Sequence, residues 1–249
     1  SKLPDNMTTW TGEGNWMQPG GSGFGDINGD GRVDIVFGSY KDAVGKKITV
    51  ATQDANGNFI ETQGIQFKSD VSGGGISTVQ SADLDGDGDV DFLAKFEGGS
   101  SSENGIMALR NDGGTLVDAT STWFPNGNTW NVMLPDHGDG MFGGLDNYGA
   151  GFELRDFNND GLVDVSFAHY KMRLTDPGSY MFINNGNGFT QATYANGVTN
   201  NIDWEYAGGM PAFADFDNDG DIDVALFRRQ SDTTFTIDTL ESGFIEKYS

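Results

Sequence analysis

Four short segments of the chain place side-chain oxygens at alternating positions. The first carries Asp26, Asn28, Asp30 and Asp34 at positions 1, 3, 5 and 9. The second carries Asp83, Asp85, Asp87 and Asp91, and the third Asp156, Asn158, Asp160 and Asp164. The fourth carries Asp215, Asp217, Asp219 and Asp223. Position 6 is always glycine (Gly31, Gly88, Gly161, Gly220), which permits a sharp turn. Residues 1, 3 and 5 of such a turn point inward together. The backbone carbonyl of position 7 (Arg32, Asp89, Leu162, Asp221) can join them. An all-oxygen set suits a hard cation, and Ca²⁺ takes about six to eight oxygens at about 2.3–2.6 Å.

Two other readings fit less well. An EF-hand loop starts alike but needs a bidentate Glu at position 12 and flanking helices. Position 12 here is Phe37, Ala94, Phe167 or Leu226. Positions 8 and 10 are apolar around the Asp at 9, as in Val33 and Ile35 or Val90 and Phe92. That alternation predicts a strand leaving each loop. Acidic turns that hold no metal would explain one copy better than four with every ligand position filled.

The metal is expected to be structural, at about one Ca²⁺ per loop. Fourteen carboxylates occupy the ligand positions of the four loops. Unneutralised, they repel one another and raise their pKa values. Catalytic metal sites leave a coordination position open beside a nucleophile or base. Four near-identical loops look instead like a repeated structural device. No catalytic residue is assigned.

The elements that must position these loops follow from the spacing. The first residues of the loops lie 57, 73 and 59 positions apart. Each loop is followed by a short β-branched or aromatic run, such as Ile35-Val36-Phe37 or Val224-Ala225-Leu226-Phe227. A hairpin signal comes next: Asn56-Gly57, Asp112-Gly113-Gly114, Gly186-Asn187-Gly188 and Ser242-Gly243. With one strand before the loop, each unit offers four strands. Units of this size suit the blades of a β-propeller. The sequence thus predicts one all-β domain over 1–249, a four-bladed propeller of four antiparallel strands per blade. The units span roughly 20–70, 71–130, 150–203 and 204–249. Between them lie glycine-rich stretches that read as spacers: Trp10 to Gly23, Asp70 to Gln80, Trp123 to Gly151 and Trp204 to Ala212.

Composition narrows the function. The 249 residues include 37 acids and 14 Lys or Arg, a formal charge of −23. Of the acids 29 are Asp, which favours turns and metal loops over helices. Such a polyanion is unsuited to nucleic acid or to anionic membrane surfaces. No apolar run approaches a bilayer span. With no Cys and only His137 and His169, disulfides, thiolate nucleophiles and His-rich metal centres are excluded.

The Asp-x-Asp/Asn-x-Asp-Gly-x-x-Asp loop between two strands, repeated along the chain from Phe24 onward, resembles the FG-GAP (VCBS-type) repeat. Integrin α-subunit propellers and fungal propeller lectins carry this repeat. The resemblance implies a β-propeller with Ca²⁺ in a loop between adjacent strands of each blade, and a secreted protein. It suggests glycans or glycoproteins as partners, with protein ligands as the alternative, and allows a homo-oligomer. Sugars stack on aromatic rings, so the candidate ligand residues are the spacer side chains Trp10, Trp16, Trp130, His137, Tyr148, Trp204 and Tyr206. A polysaccharide-degrading enzyme is a third reading, with His137 as base and Tyr148 as acid.

Overall fold

The computed structural model describes residues 18–40, 47–66, 74–98, 105–124, 152–168, 179–191, 212–216, 218, 220, 222–231 and 234–240. Nearly all of them are strand or tight loop. The chain divides into two compact units, Ser1–Asn147 and Tyr148–Ser249.

In the first unit β1 (Gln18–Gly25), β2 (Asp34–Tyr40), β3 (Lys47–Gln53) and β4 (Phe59–Gln66) form an antiparallel meander. β5 (Gly74–Ala82), β6 (Asp91–Gly98), β7 (Gly105–Asn111) and β8 (Leu116–Asp118) form a second. The two join as one eight-stranded sheet through the single pair Tyr40–Gly75. This differs from the expected separate four-stranded sheets, because β2 runs on far enough to meet the start of β5.

The β2–β3 and β6–β7 registers explain the core of this unit. Val36 lies opposite Val50 and Gly38 opposite Ile48. Phe92 lies opposite Leu109 and Ala94 opposite Met107. These two apolar faces meet in one buried cluster, joined by Ile27, Ile76, Val79 and Leu116. The other face of the first meander includes Phe24, which is 54% exposed.

Glycines in β1 let the two meanders approach. A Cβ on Gly21 would lie 2.4 Å from the Thr78 Cα, and one on Gly23 2.9 Å from Val79 Cγ1. One on Gly25 would lie 2.6 Å from Val90 Cγ1. Gly20, Gly21, Gly23 and Gly25 give this segment the composition of a spacer, yet residues 18–25 are strand. At Gly21, Gly23 and Gly25 no side chain fits between the layers. The same correction applies to residues 74–80, which lie in β5.

One helical turn, α1 (Thr120–Trp123), follows β8. The Ala108 N–H donates to Thr120 Oγ1 at 2.9 Å, and Trp123 and Phe124 are buried.

In the second unit β9 (Phe152–Arg155), β10 (Asp164–Ala168), β11 (Ser179–Asn184) and β12 (Phe189–Gln191) form a four-stranded antiparallel sheet. Phe152, Phe157, Val165, Phe182 and Phe189 are buried here. β13 (Ala212–Ala214), β14 (Asp223–Ser231) and β15 (Thr234–Leu240) form a three-stranded sheet among the described residues. The Ser242-Gly243 hairpin signal lies outside the described residues.

Candidate metal centres

Each acidic loop joins the first two strands of its meander: β1 to β2, β5 to β6, β9 to β10 and β13 to β14. The fold is the same in the three loops described throughout. The position 1 carboxylate reaches forward to the turn. Asp26 accepts the N–H of Asp30 at 3.0 Å and of Gly31 at 2.8 Å. Asp156 does the same with Asp160 at 3.1 Å and Gly161 at 2.8 Å. Asp83 accepts from Gly86 at 2.8 Å and Gly88 at 3.0 Å. In the fourth loop Asp215 accepts from Gly220 at 3.0 Å.

Positions 3 and 5 then make successive turns of their own. Asn28, Asp85 and Asn158 each accept the N–H of position 5, at 3.1, 3.3 and 3.0 Å. Asp30, Asp87 and Asp160 accept the N–H of position 7, at 3.0, 2.9 and 2.8 Å. The side chains of positions 1, 3 and 5 thus each accept backbone N–H groups of the same tight turn.

Two residues per loop carry positive φ. Position 6 is one, as its glycine predicts: Gly31, Gly88, Gly161 and Gly220 lie at φ 82°, 95°, 91° and 94°. Position 4 is the other: Gly29 at 72°, Gly86 at 78°, Asn159 at 58° and Asn218 at 62°. Glycine and asparagine are the residues that tolerate this region. The signal is visible in the sequence as Gly or Asn at position 4 of every copy.

The position 9 aspartate is a latch. Asp34, Asp91 and Asp164 are fully buried. One oxygen accepts the N–H of position 2: Ile27 at 2.9 Å, Leu84 at 2.8 Å, Phe157 at 2.9 Å. The other accepts an N–H at the end of the third strand: Gln53, Asn111 and Asn184, all at 2.8 Å. The carboxylate thus holds the start of the loop to a strand about twenty residues downstream in each repeat. Gln53, Asn111 and Asn184 were not anticipated, since a backbone donor leaves no trace in residue type.

Asn111 also extends to the neighbouring meander. Its side-chain amide donates to the Ile27 carbonyl at 2.9 Å, and Gly114 packs on Asn28. In the second compact unit the Asn159 amide donates to the Gly220 carbonyl at 2.9 Å, tying the third loop to the fourth.

The second loop has the densest charge. One carboxylate oxygen from each of Asp83, Asp85 and Asp91 lies within 4.8 Å of the others. Burial first, then the Asp87 charge, raises the Asp85 pKa. Burial lifts Asp91 to about 6 against the backbone N–H groups of Asn111 and Leu84. Asp164 is likewise lifted to about 6 by burial, against Asn184 and Phe157. Desolvation exceeds mutual repulsion in all three, whereas the sequence pointed to repulsion alone.

Asp217, Asp219 and Asp221 lie outside the described residues, and Asp223 is placed by its backbone as the first residue of β14. The position 7 residues Arg32, Asp89 and Leu162 donate their N–H groups inward. Trp10, Trp16, Trp130, His137, Tyr148, Trp204 and Tyr206 all lie outside the described residues.

A comparison with curated proteins gave no match. The FG-GAP-like repeat matches residues 26–94 and 156–226, each stretch starting at a loop's first aspartate and together covering more than half of the chain. The two matches contain all four acidic loops, and Gln53 and Asn184, the latch donors of the first and third, lie within them. The chain belongs to the FG-GAP-like repeat family.

Proposed function

We propose that the protein is a calcium-stabilised recognition module, its four repeats arranged as propeller blades. The observation that carries this reading is the repeated loop. Oxygens bound to one Ca²⁺ at about 2.4 Å lie at most about 4.8 Å apart, the span within which Asp83, Asp85 and Asp91 present theirs. The donor set contains no nitrogen or sulfur, which favours calcium over zinc. Positions 1, 3, 5 and 9 would hold the ion, with about one per loop. Bound calcium supplies charge neutralisation, so its binding free energy becomes folding free energy. The loop side chains are engaged in turns and latches, an arrangement suited to stability rather than turnover.

Recognition then falls to surfaces outside the loops. Glycans suit the spacer aromatics, Trp16 and Trp204 above all. A protein ligand is the second reading, favoured by membership of a repeat family shared with adhesion proteins. A secreted location fits both, since extracellular calcium modules work at dissociation constants of about 10⁻⁴–10⁻³ M. No helix among the described residues is long and apolar enough to cross a membrane.

The test is a glycan array probed with calcium-loaded and calcium-stripped protein, alongside calorimetric titration with Ca²⁺. Calcium uptake with glycan binding establishes the lectin reading. Calcium uptake without a glycan hit moves the ligand to protein. Absence of calcium uptake overturns the proposal.

A further inference from the structure

The first loop differs from the others at position 7, and the difference is electrostatic. Position 7 is Arg32 there, against Asp89, Leu162 and Asp221. The Arg32 guanidinium makes two bonds. Nη2 pairs with Asp30 Oδ2, and Nε donates to the Gln53 carbonyl at 2.8 Å. Asp30 Oδ1 already accepts the Arg32 N–H, so both oxygens of this carboxylate are engaged. The same Gln53 donates its N–H to Asp34, the latch. One continuous set of bonds therefore runs from Asp30 through Arg32 and Gln53 to Asp34 and Ile27.

Charge points the same way. The first loop holds three aspartates and one arginine, whereas the second holds five aspartates. Position 3 is Asn28 instead of an acid. A cation entering the first loop must displace a guanidinium from Asp30 and then sit beside it. The third loop has a neutral Leu162 at this position and meets no such competitor.

We propose that Arg32 acts as the built-in cation of the first loop, closing it without calcium and leaving it the weakest metal site of the chain. The proposal rests on the calcium reading of the other loops. Its consequence is graded: removal of calcium loosens the second loop while the first keeps its form.

Hydrogen exchange of the intact protein in chelator tests this without a variant. The turn amides of Asp30, Gly31 and Arg32 should stay protected while their counterparts Asp87, Gly88 and Asp89 lose protection on calcium removal. Equal loss in both loops overturns the proposal. Calcium titration of Arg32→Leu is the second measurement. The wild type should show tight sites one short of the number of loops, and Arg32→Leu should add one, tightened at least about tenfold. A wild type already binding at every loop, unchanged by the substitution, overturns the role of Arg32 while the calcium reading stands. Absence of calcium binding in both proteins, with exchange unchanged by chelator, removes the calcium reading and this proposal together.

Discussion

Asp91 accepts the backbone N–H of Asn111 at 2.8 Å through one oxygen and that of Leu84 at 2.8 Å through the other. The two donors are on β7 and in the loop before β6, so one buried carboxylate fixes the loop against the sheet. Replacing Asp91 by Ala leaves both N–H groups buried without an acceptor. The expected loss is about 2–6 kcal/mol, from a cost of about 1–3 kcal/mol for each unsatisfied group. Asp89→Ala, on an exposed side chain of the same loop, should change stability by less than about 0.5 kcal/mol. Urea denaturation of both variants in chelator measures the contrast without the metal, and equal effects would refute the latch.

Acid should stabilise the calcium-free protein over a defined window. Asp91 and Asp164 have pKa values of about 6 in the fold, above the ordinary 3.8. Between those values the folded chain holds protons that the unfolded chain has released. Their contribution is fully present below 3.8 and is lost as pH rises through about 6. Asp54 and Asp112 act oppositely and only at lower pH. Asn58 hydrogen bonds lower the first, and the Arg110 side chain lowers the second. The metal-free melting temperature should therefore rise from pH 7 to pH 5. Saturating calcium should reverse the slope, because protons compete for its ligands. A metal-free melting temperature that falls over this interval contradicts the burial argument.

Position 4 of the loops gives a prediction about backbone alone. Gly86 sits at φ 78°, where its counterparts Asn159 and Asn218 sit at 58° and 62°. Gly86→Asn should cost little, since asparagine already serves at this position twice. Gly86→Val should cost about 1–2 kcal/mol or more, because a β-branched side chain crowds the carbonyl in the left-handed region. Thermal melts of the two variants separate them, and equal melting temperatures would mean that the loop relaxes.

The strand order within each of the first three repeats was legible because two local signals agree. Alternation around Asp34, Asp91, Asp164 and Asp223 marks a strand leaving the loop, and Asn56-Gly57 or Asp112-Gly113-Gly114 marks the hairpin beyond it. That positions 1, 3 and 5 belong to one tight turn was legible for the same reason, being set by spacing within that turn. The latch was only half legible. Asp34 stands out, but Gln53 contributes a backbone N–H from a different strand, and register must be known to pair them. Arg32 looked like an ordinary position 7 residue, since its partner Gln53 is 21 residues away. Residues 18–23 read as spacer because glycine suits both a flexible spacer and a strand pressed against another layer. Only the position of Thr78 and Val79 decides between them.

That last distinction can be measured. Gly21→Ala places a methyl 2.4 Å from the Thr78 Cα, a backbone atom that cannot turn aside. Gly23→Ala meets Val79 Cγ1 at 2.9 Å and Phe92 at 3.0 Å, side-chain atoms with some freedom to shift. Overpacking of this kind costs about 1–3 kcal/mol, and Gly21 should lie at or beyond the upper end. Ser22 lies between them in β1 and is exposed, so Ser22→Ala should be nearly neutral. If residues 18–23 were a spacer, the two glycine-to-alanine changes would instead stabilise slightly or do nothing, because alanine restricts the unfolded chain more than glycine does. The order Gly21→Ala, then Gly23→Ala, then Ser22→Ala in urea midpoints supports the packed strand. A stabilised Gly21→Ala would show that the two meanders do not approach as closely as Gly21 and Thr78 require.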